Sequence, residues 1–231
     1  MKKVLVVAAF AALFFAQGAK AQTNFQTFYD FGRKHFTTTL EGFHQDNWGN
    51  TFFFIDYDYN HRDANNKVIS PSGTYFEIAR CLNFWQDSAL APFSLQYEYN
   101  GGLGMGFGIN SAFLFGVDYF LHSADFNNTL NLKVLYKQFI GMSSKLPMQF
   151  TTVWGCQDLF GLSGLRFSGF ADVWWEGDNM VFLSEPQLWM GIGSHASVGG
   201  EVEFSYNFGG LEYTTGKKFN IMPCLGWKWV F

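Results

Sequence analysis

Large apolar residues alternate with small or polar residues along most of the chain, and the pattern is clearest at the C-terminal end. Reading back from Phe231, the residues Trp229, Trp227 and Leu225 are apolar, and Lys228 lies between two of them. A period of two is typical of a β-strand whose two faces meet different surroundings. A face this wide and aromatic must be covered by a second sheet or by a lipid bilayer.

Twelve alternating segments follow one another along the chain, separated by turn residues, and no helical period of 3.6 is found after the N-terminus. An even number of strands puts both chain ends on the periplasmic side, and the longest connection, 60–73, then lies on the extracellular side. The pattern predicts an all-β fold, a transmembrane antiparallel up-and-down β-barrel of about 12 strands. The segments lie near residues 24–32, 36–43, 50–60, 73–85, 93–100, 106–121, 126–139, 147–157, 164–176, 180–192, 197–208 and 218–231.

The N-terminus has the features of a secretory signal peptide. Lys2 and Lys3 precede the apolar run 4–16, and Ala19-Lys20-Ala21 is an A-x-A-type cleavage site. The apolar run is too short to cross a bilayer of ~30 Å comfortably. We therefore predict a signal peptide at 1–21, which is removed, and a single barrel at 22–231 in the outer membrane of a Gram-negative cell.

The charged residues test which face of each strand meets lipid, because a charge on the lipid face near the midplane costs ~2–4 kcal/mol. When the face rich in large apolar residues is assigned to lipid, every charged residue of the predicted strands falls on the opposite, inner face except Arg80. A bulge in its strand would turn Arg80 inward, and this is the favoured interpretation; alternatively the side chain lies at the rim and snorkels. The inward charges are then Asp30, Glu41, Asp56, Asp58, Glu77, Glu98, Asp118, Asp172, Glu176, Glu185, Glu201, Glu203, Lys133, Lys137, Arg166 and Lys228.

A soluble two-sheet sandwich is the alternative fold, since its strands also alternate. It gives no reason for an aromatic content of 20% gathered on one face, or for an aromatic C-terminal strand. A mean hydropathy of -0.01 fits strands that alternate between lipid and water. The barrel is therefore the favoured prediction.

Composition also limits the partners. Without the three lysines of the signal peptide, 12 of the 15 basic residues remain against 19 acidic ones, and no basic run or patch is found, which argues against nucleic acid. Cys81, Cys156 and Cys224 lack metal-ligand spacing and are expected to be unpaired. The alternative is a single disulfide between two of them. No metal and no cofactor are predicted.

The inner face predicts the function, because inward charges must be hydrated or paired. Twelve strands enclose more space than eight, so we expect a narrow aqueous channel whose excess of acids disfavours anions. Inward aromatic residues (Phe52, Phe54, Phe120, Phe170 and Trp174) either fill space or stack on a planar polar solute such as a nucleoside. The predicted solute pathway is lined by Phe54, Asp56, Asp58, Glu77, Arg80, Glu98, Asp118, Lys133, Arg166, Phe170, Asp172 and Glu185.

Several sequence runs resemble an uncharacterised family of outer-membrane barrels that is related to the Tsx-like nucleoside-specific channel-forming proteins. The resemblance covers residues 28–231 and implies a twelve-stranded barrel with nucleoside-type uptake, although the outer loops here are shorter and no ligand contact is carried over. The runs are 36–41 (FTTTLE), 46–56 (DNWGNTFFFID), 75–80 (YFEIAR), 96–102 (QYEYNGG), 168–172 (SGFAD) and 182–187 (FLSEPQ).

The sequence thus predicts an outer-membrane porin-like channel for passive uptake of small polar solutes, with nucleosides as one candidate. Its expected partners are outer-membrane lipid, the solute, and the barrel assembly machinery acting through the C-terminal strand. A structural barrel with a plugged lumen is the main alternative. A barrel enzyme is less favoured: His35 and His61 lie at the outer rim, with Asp63 close to His61, but in no known motif. The glycine-rich run 101–106 lacks the following helix and the Lys-Ser/Thr of a phosphate loop.

Overall fold

The computed structural model describes residues 21–231, so the predicted signal peptide lies outside the described residues except for Ala21. Most of this part of the chain is strand, with a single 3-10 turn at Leu159–Gly161 and one short helix, α1 (Leu211–Thr215). The strands are β1 (Ala21–Asp30), β2 (His35–Asp46), β3 (Gly49–Tyr59), β4 (His61–Arg62), β5 (Val68–Ser70), β6 (Gly73–Leu82), β7 (Phe93–Gly104), β8 (Phe107–His122), β9 (Asn128–Phe139), β10 (Met148–Cys156), β11 (Leu165–Glu176), β12 (Asn179–Ser184), β13 (Gln187–Gly191), β14 (Ala196–Tyr206) and β15 (Phe219–Val230).

The main sheet closes on itself, with every neighbouring pair of strands antiparallel. Strand β1 pairs with β15 at one junction, from Asn24 opposite Val230 to Asp30 opposite Cys224, and β10 pairs with β11 at another. Closure satisfies the hydrogen-bonding groups that an open sheet would leave exposed at its edges.

Strands β12 and β13 are two parts of one barrel strand. Both pair with β11 on one side and with β14 on the other, without a change of register. The interruption falls at Glu185 and Pro186, and proline has no N–H to donate to the ladder. The remaining pair, β4 and β5, is a small hairpin in the 60–73 connection, outside the barrel. The barrel therefore has twelve strands, as predicted.

The two ends of the barrel differ. The end that carries residues 21 and 231, called the terminal end below, has a two-residue turn between Asp46 and Gly49. Gly49 has a φ of 141°, and a Cβ atom there would overlap the carbonyl oxygen of Cys81 on β6, so the turn requires glycine. The opposite end, called the loop end, carries the β4–β5 hairpin and α1.

Residues directly opposite each other on neighbouring strands share one face of a sheet, so the register shows which face points outward. One row of partners on the outer wall is entirely apolar, running through Leu95, Val117, Val134 and Phe150. The outward residues of β15 are also large, apolar and exposed; they are Phe219, Ile221, Leu225, Trp227 and Trp229. The assignment of this face in the C-terminal strand is confirmed.

The predicted bulge is on a different strand. Strand β6 keeps a continuous register with both β3 and β7, so the bulge expected around Arg80 is wrong. The irregularity lies in β8, where Ala112 is opposite Asn100 but Ile109 is opposite Gly102. The extra residue places Ile109 on the inner face of the barrel, although strict alternation along the sequence assigned it to the lipid face.

Among the described residues, no helix is long and apolar enough to cross a membrane. All three cysteines are free thiols, with Cys81 buried and Cys156 and Cys224 partly buried.

Candidate functional site: the lumen of the barrel

The structure places most of the predicted pathway residues on the inner face of the barrel. A chain of direct cross-strand partners shows this: Glu41 is opposite Phe54, which is opposite Glu77. The same relation holds around the wall for Asp118 with Lys133, Thr151 with Asp172, and Arg166 with the buried Trp189. The residues of the predicted pathway on the inner face are Phe54, Asp56, Asp58, Glu77, Glu98, Asp118, Lys133, Arg166, Phe170, Asp172 and Glu185, the last in the break between β12 and β13.

Arg80 is the member of the predicted pathway that does not face the lumen. Its direct partners, Thr51 and Tyr97, both point outward, and its guanidinium bonds to Thr51 Oγ1 (3.1 Å) and Asp46 Oδ1 (2.9 Å) near the terminal end. Without a bulge in β6, the alternation of the strand fixes Arg80 on the outer face. Of the two interpretations of the sequence, the rim position is the one that the structure shows.

An arginine that the sequence left in a connection closes part of the lumen at the loop end. Arg33, in the turn between β1 and β2, donates to Asp30 Oδ2 (2.7 Å) and to Glu203 Oε2 (2.6 Å), and so links β1 to β14 across β15. Burial opposes the charge of the guanidinium, but these two carboxylates outweigh it and raise the pKa of Arg33 above its ordinary value. No pattern within the four-residue turn distinguished Arg33 from a solvated charge.

Next to Arg33, polar side chains of β2 and β3 hold two further carboxylates. Asp58 accepts a hydrogen bond from Thr37 (2.7 Å) and lies 3.4 Å from His35 Nε2, and Asp56 accepts one from Thr39. This wall is rich in acids relative to bases. Its further carboxylates on neighbouring strands are Glu41, Glu185, Glu201 and Glu203.

The opposite wall has a more balanced set of charges. Lys133 is the direct partner of Asp118, whose carboxylate also accepts two hydrogen bonds from Asn131 (2.8 and 2.9 Å). The buried Glu98 accepts hydrogen bonds from Gln96 and Asn100, at 2.7 and 3.1 Å. Amide donors therefore stabilise these carboxylates in addition to the lysine.

A buried apolar cluster fills the lumen against this balanced wall, near the loop end. Leu114 and Leu135 are 1% and 0% exposed, and Phe208, from the connection between β14 and β15, packs edge-on against Trp174 with ring centroids 6.1 Å apart. The sequence placed Trp174 on the inner face, but the cluster was not predicted, because alternation along one strand does not show which inward residues of distant strands meet. Its members are Ala112, Leu114, Leu135, Phe139, Trp174 and Val181, with Met142, Leu183 and Phe208 packed against them.

Lys137 is held within this cluster. Its ammonium lies 4.5 Å from the ring centroid of Trp174 and 5.1 Å from that of Phe139, and donates to Gln149 Oε1 at 2.7 Å. Cation–π contacts and one hydrogen bond thus stabilise the cation where water is largely excluded.

Aromatic residues also line the lumen outside the cluster. Phe54 lies 6.0 Å from Phe52 and 5.8 Å from Tyr75 between ring centroids, which gives a continuous aromatic patch on β3 and β6. On the other side, Trp189 packs 5.5 Å from Phe28 and lies under the ammonium of Lys228 at 4.4 Å. The sequence identified Phe52 and Phe54 as inward, but not Tyr75 or Trp189.

The histidine that the sequence considered for catalysis has a serine partner but no aligned carboxylate. His61 Nδ1 lies 2.7 Å from Ser70 Oγ in the β4–β5 hairpin. Asp63 does not join them, because its Oδ1 accepts hydrogen bonds from the backbone N–H groups of Asn65 and Lys67. A serine hydrolase needs a third group to orient its histidine, and Asp63 does not serve that role here.

A family model described as "Domain of unknown function (DUF5020)" matches residues 21–231. The chain belongs to this family. Among curated proteins, no sequence matches the DUF5020 chain significantly.

Solved structures show what this DUF5020 barrel is similar to. The KdgM porin matches with a TM-score of 0.50 at 9% identity, covering 91% of this chain and 99% of the porin. A second structure, the KdgM porin in complex with disordered oligogalacturonate, matches with the same TM-score and coverage at 11% identity. At these identities the likeness shows the fold alone, and it confirms the predicted twelve-stranded barrel. A relation to the Tsx-like channels is not shown by these comparisons.

Proposed function

We propose that this DUF5020 protein is an outer-membrane channel for passive uptake of small polar solutes that are neutral or positively charged. One observation carries the proposal, namely the excess of carboxylates on the inner face. The twelve inward acids are opposed by four inward bases, with Arg33 as a fifth cation at the loop end; the acids are Asp30, Glu41, Asp56, Asp58, Glu77, Glu98, Asp118, Asp172, Glu176, Glu185, Glu201 and Glu203.

The outer surface supports a location in a bilayer. Its exposed apolar residues form continuous rows from strand to strand. Exposing so much apolar surface to water is unfavourable, whereas the hydrocarbon of a bilayer covers it. We propose that residues 1–21 direct export, that the terminal end is periplasmic, and that the barrel assembly machinery recognises β15 with its aromatic outer face.

The lumen contains polar atoms that the described residues do not satisfy. Buried atoms without a hydrogen-bond partner in this part of the chain include Asp172 Oδ1, Glu203 Oε1 and Arg166 Nε. Buried polar groups in native proteins are nearly always hydrogen-bonded, to protein or to water. An inner face of this kind supports a hydrated lumen rather than a dry core.

The shape of the lumen supports an off-centre path. The apolar cluster occupies the side of β8, β9, β11 and β12, so we propose that solute passes along the acidic wall of β1–β3 and β13–β15. The aromatic patch of Phe52, Phe54 and Tyr75 lies beside the carboxylates of Asp56 and Glu77 on this route. Ring faces for stacking next to hydrogen-bond acceptors suit a neutral planar solute with hydroxyl groups, and a nucleoside is one such solute.

The proposed selectivity differs from that implied by the oligogalacturonate of the KdgM complex. Oligogalacturonate is a polyanion, and a channel with an acidic inner wall repels polyanions. The shared barrel fold therefore does not carry that ligand to this chain.

Electrical recording in planar bilayers tests the proposal. The purified protein is expected to give stable single-channel steps, and an added nucleoside should reduce the conductance reversibly. A Phe54→Leu variant should keep the conductance but lose most of the nucleoside block, whereas Phe53→Leu, its outward neighbour, should keep both. Block that is equal in all three proteins would contradict a stacking site in the lumen.

A structural barrel with a plugged lumen is the second candidate, and the apolar cluster is the observation that favours it. If that cluster and the charge network close the whole cross-section, no conductance will be measured in the parent protein. The enzyme is the least favoured candidate, because the His61–Ser70 pair lacks an orienting acid; hydrolysis of lipid or peptide that is lost in His61→Ala would support it.

A further inference from the structure

Two charges of opposite sign face outward from the barrel wall, side by side. In the described residues 21–231, every other charged side chain of the barrel strands has the inner parity, so Arg80 and Asp46 are the exceptions. A charge on the lipid face is tolerated near an interface, at ~0–1 kcal/mol, but not near the midplane. The pair must therefore lie at the level of lipid headgroups, and it needs an explanation there.

The pair leaves hydrogen-bonding capacity on both partners. The guanidinium of Arg80 has five N–H donors, of which the described residues accept two, one each at Thr51 Oγ1 and Asp46 Oδ1. Asp46 Oδ1 also accepts the backbone N–H of Trp48 at 2.8 Å, and no described group donates to Asp46 Oδ2. The side chains are 26% and 40% exposed, so a ligand can reach both.

The surroundings of the pair have the character of a membrane interface. Tyr97, the direct partner of Arg80, is exposed, as are Trp48 and Phe84 in the two adjacent turns. Tyrosine and tryptophan are enriched at the boundary between hydrocarbon and water. A surface hollow of about 300 Å³ is lined by residues of the same two turns, among them Trp48, Phe84 and Asn47, which follows Asp46 in the chain.

We propose that Arg80 and Asp46 bind the headgroup of a phosphoethanolamine phospholipid in the periplasmic leaflet. The lipid phosphate accepts the free N–H donors of Arg80, since a guanidinium fork matches phosphate oxygens. The ammonium of the headgroup donates to Asp46 Oδ2. The inference rests on the proposed location in the membrane and not on conduction through the lumen.

Native mass spectrometry of protein extracted from vesicles tests this site. The vesicles contain equal amounts of phosphatidylethanolamine, phosphatidylcholine and phosphatidylglycerol, and the lipids retained on the barrel are counted. The parent protein should retain phosphatidylethanolamine over phosphatidylcholine, whose quaternary ammonium has no N–H to donate. Arg80→Gln should lower this retention about tenfold, as expected for the loss of hydrogen bonds to a charged group.

Two further variants separate the partners of the headgroup. Asp46→Asn should lower retention of phosphatidylethanolamine and leave that of phosphatidylglycerol unchanged, because asparagine keeps an oxygen acceptor for Arg80 but presents an NH2 group, and no carboxylate oxygen, to the ammonium. Arg62→Gln, the same substitution in the β4–β5 hairpin at the opposite end of the barrel, is the matched control and should change neither.

Equal retention of the three lipids by the parent protein, or unchanged retention in Arg80→Gln, would overturn the proposal. Arg80→Lys covers the case in which Arg80→Gln does not assemble: it keeps the charge without the fork, and should still lose most of the retention. Unchanged retention in Arg80→Lys would also overturn the site. Channel conductance should be the same in the parent and Arg80→Gln, so failure of the lipid site and failure of the proposed channel are separate results.

Discussion

A single charge placed on the outer wall tests whether lipid covers that wall. Val134 lies in the middle of β9, points outward and is 48% exposed, with Val117 and Phe150 directly opposite it on the neighbouring strands. We expect Val134→Lys to destabilise the barrel strongly, because no described side chain near it offers a counter-charge on this face.

The magnitude follows from the depth of the residue. A lysine on the lipid face near the midplane costs ~2–4 kcal/mol, which lowers the ratio of folded to unfolded protein by about 30- to 900-fold. The matched control is Val153→Lys on β10, whose direct partners Asn131 and Phe170 face the lumen. There the lysine faces the lumen, where Asp172 lies two residues from Phe170 on the same face of β11 and Asn131 binds the carboxylate of Asp118. We expect a loss of about 1 kcal/mol or less.

Urea-induced unfolding of the two variants in lipid vesicles, followed by tryptophan fluorescence, gives the free energies of unfolding. A difference of at least about 1 kcal/mol between Val134→Lys and Val153→Lys is expected. Equal losses in the two variants would refute the assignment of the outer face to lipid.

Three other predictions concern the turn at the terminal end, the apolar cluster and the arginine at the loop end. Gly49→Ala should lower the free energy of unfolding in urea by more than about 1 kcal/mol, because of the φ of 141° at Gly49 and the overlap of a Cβ atom with Cys81. Gly108→Ala, at a position with open space around it, is the control and should be nearly neutral. Equal effects of the two substitutions would contradict backbone strain at position 49. Phe208→Ala removes the ring packed on Trp174 and should raise the single-channel conductance; an unchanged conductance would show that the cluster does not narrow the path. Arg33→Gln frees the carboxylates of Asp30 and Glu203 and should shift the zero-current potential further toward cations, and a shift toward anions would contradict their role at the mouth.

The number of strands and the direction of most side chains could be predicted from the sequence, because alternation and charge are both local properties. Asp56 and Asp58 on β3, or Trp227 and Trp229 on β15, are assigned to a face by parity alone, and the register agrees. Alternation assigns the wrong face where one strand has an extra residue relative to its partner strand. The two-for-one mismatch in β8 between Ile109 and Ala112 depends on pairing with β7, which no local pattern in β8 contains.

The inner surface was harder to predict, because apolar residues have two destinations in a barrel. Leu135 on β9 is as apolar as its outward neighbour Val134, yet it packs in the apolar cluster inside the barrel. Arg33 lies in a connection, where the sequence gives no indication of which way a side chain folds. Phe208 was predicted to end the strand segment 197–208, but it lies in the connection beyond β14, which ends at Tyr206. Both reach the lumen through contacts made across several strands, to Glu203 and to Trp174.

The zero-current potential under a tenfold gradient of KCl is the most direct measurement of the central claim, an open lumen with an acidic wall. We predict a potential with the sign of K⁺ selectivity, below the ideal value of about 59 mV, and reduced when Asp56→Asn and Glu201→Gln are combined. The absence of conductance, or a potential with the sign of Cl⁻ selectivity, would contradict the account.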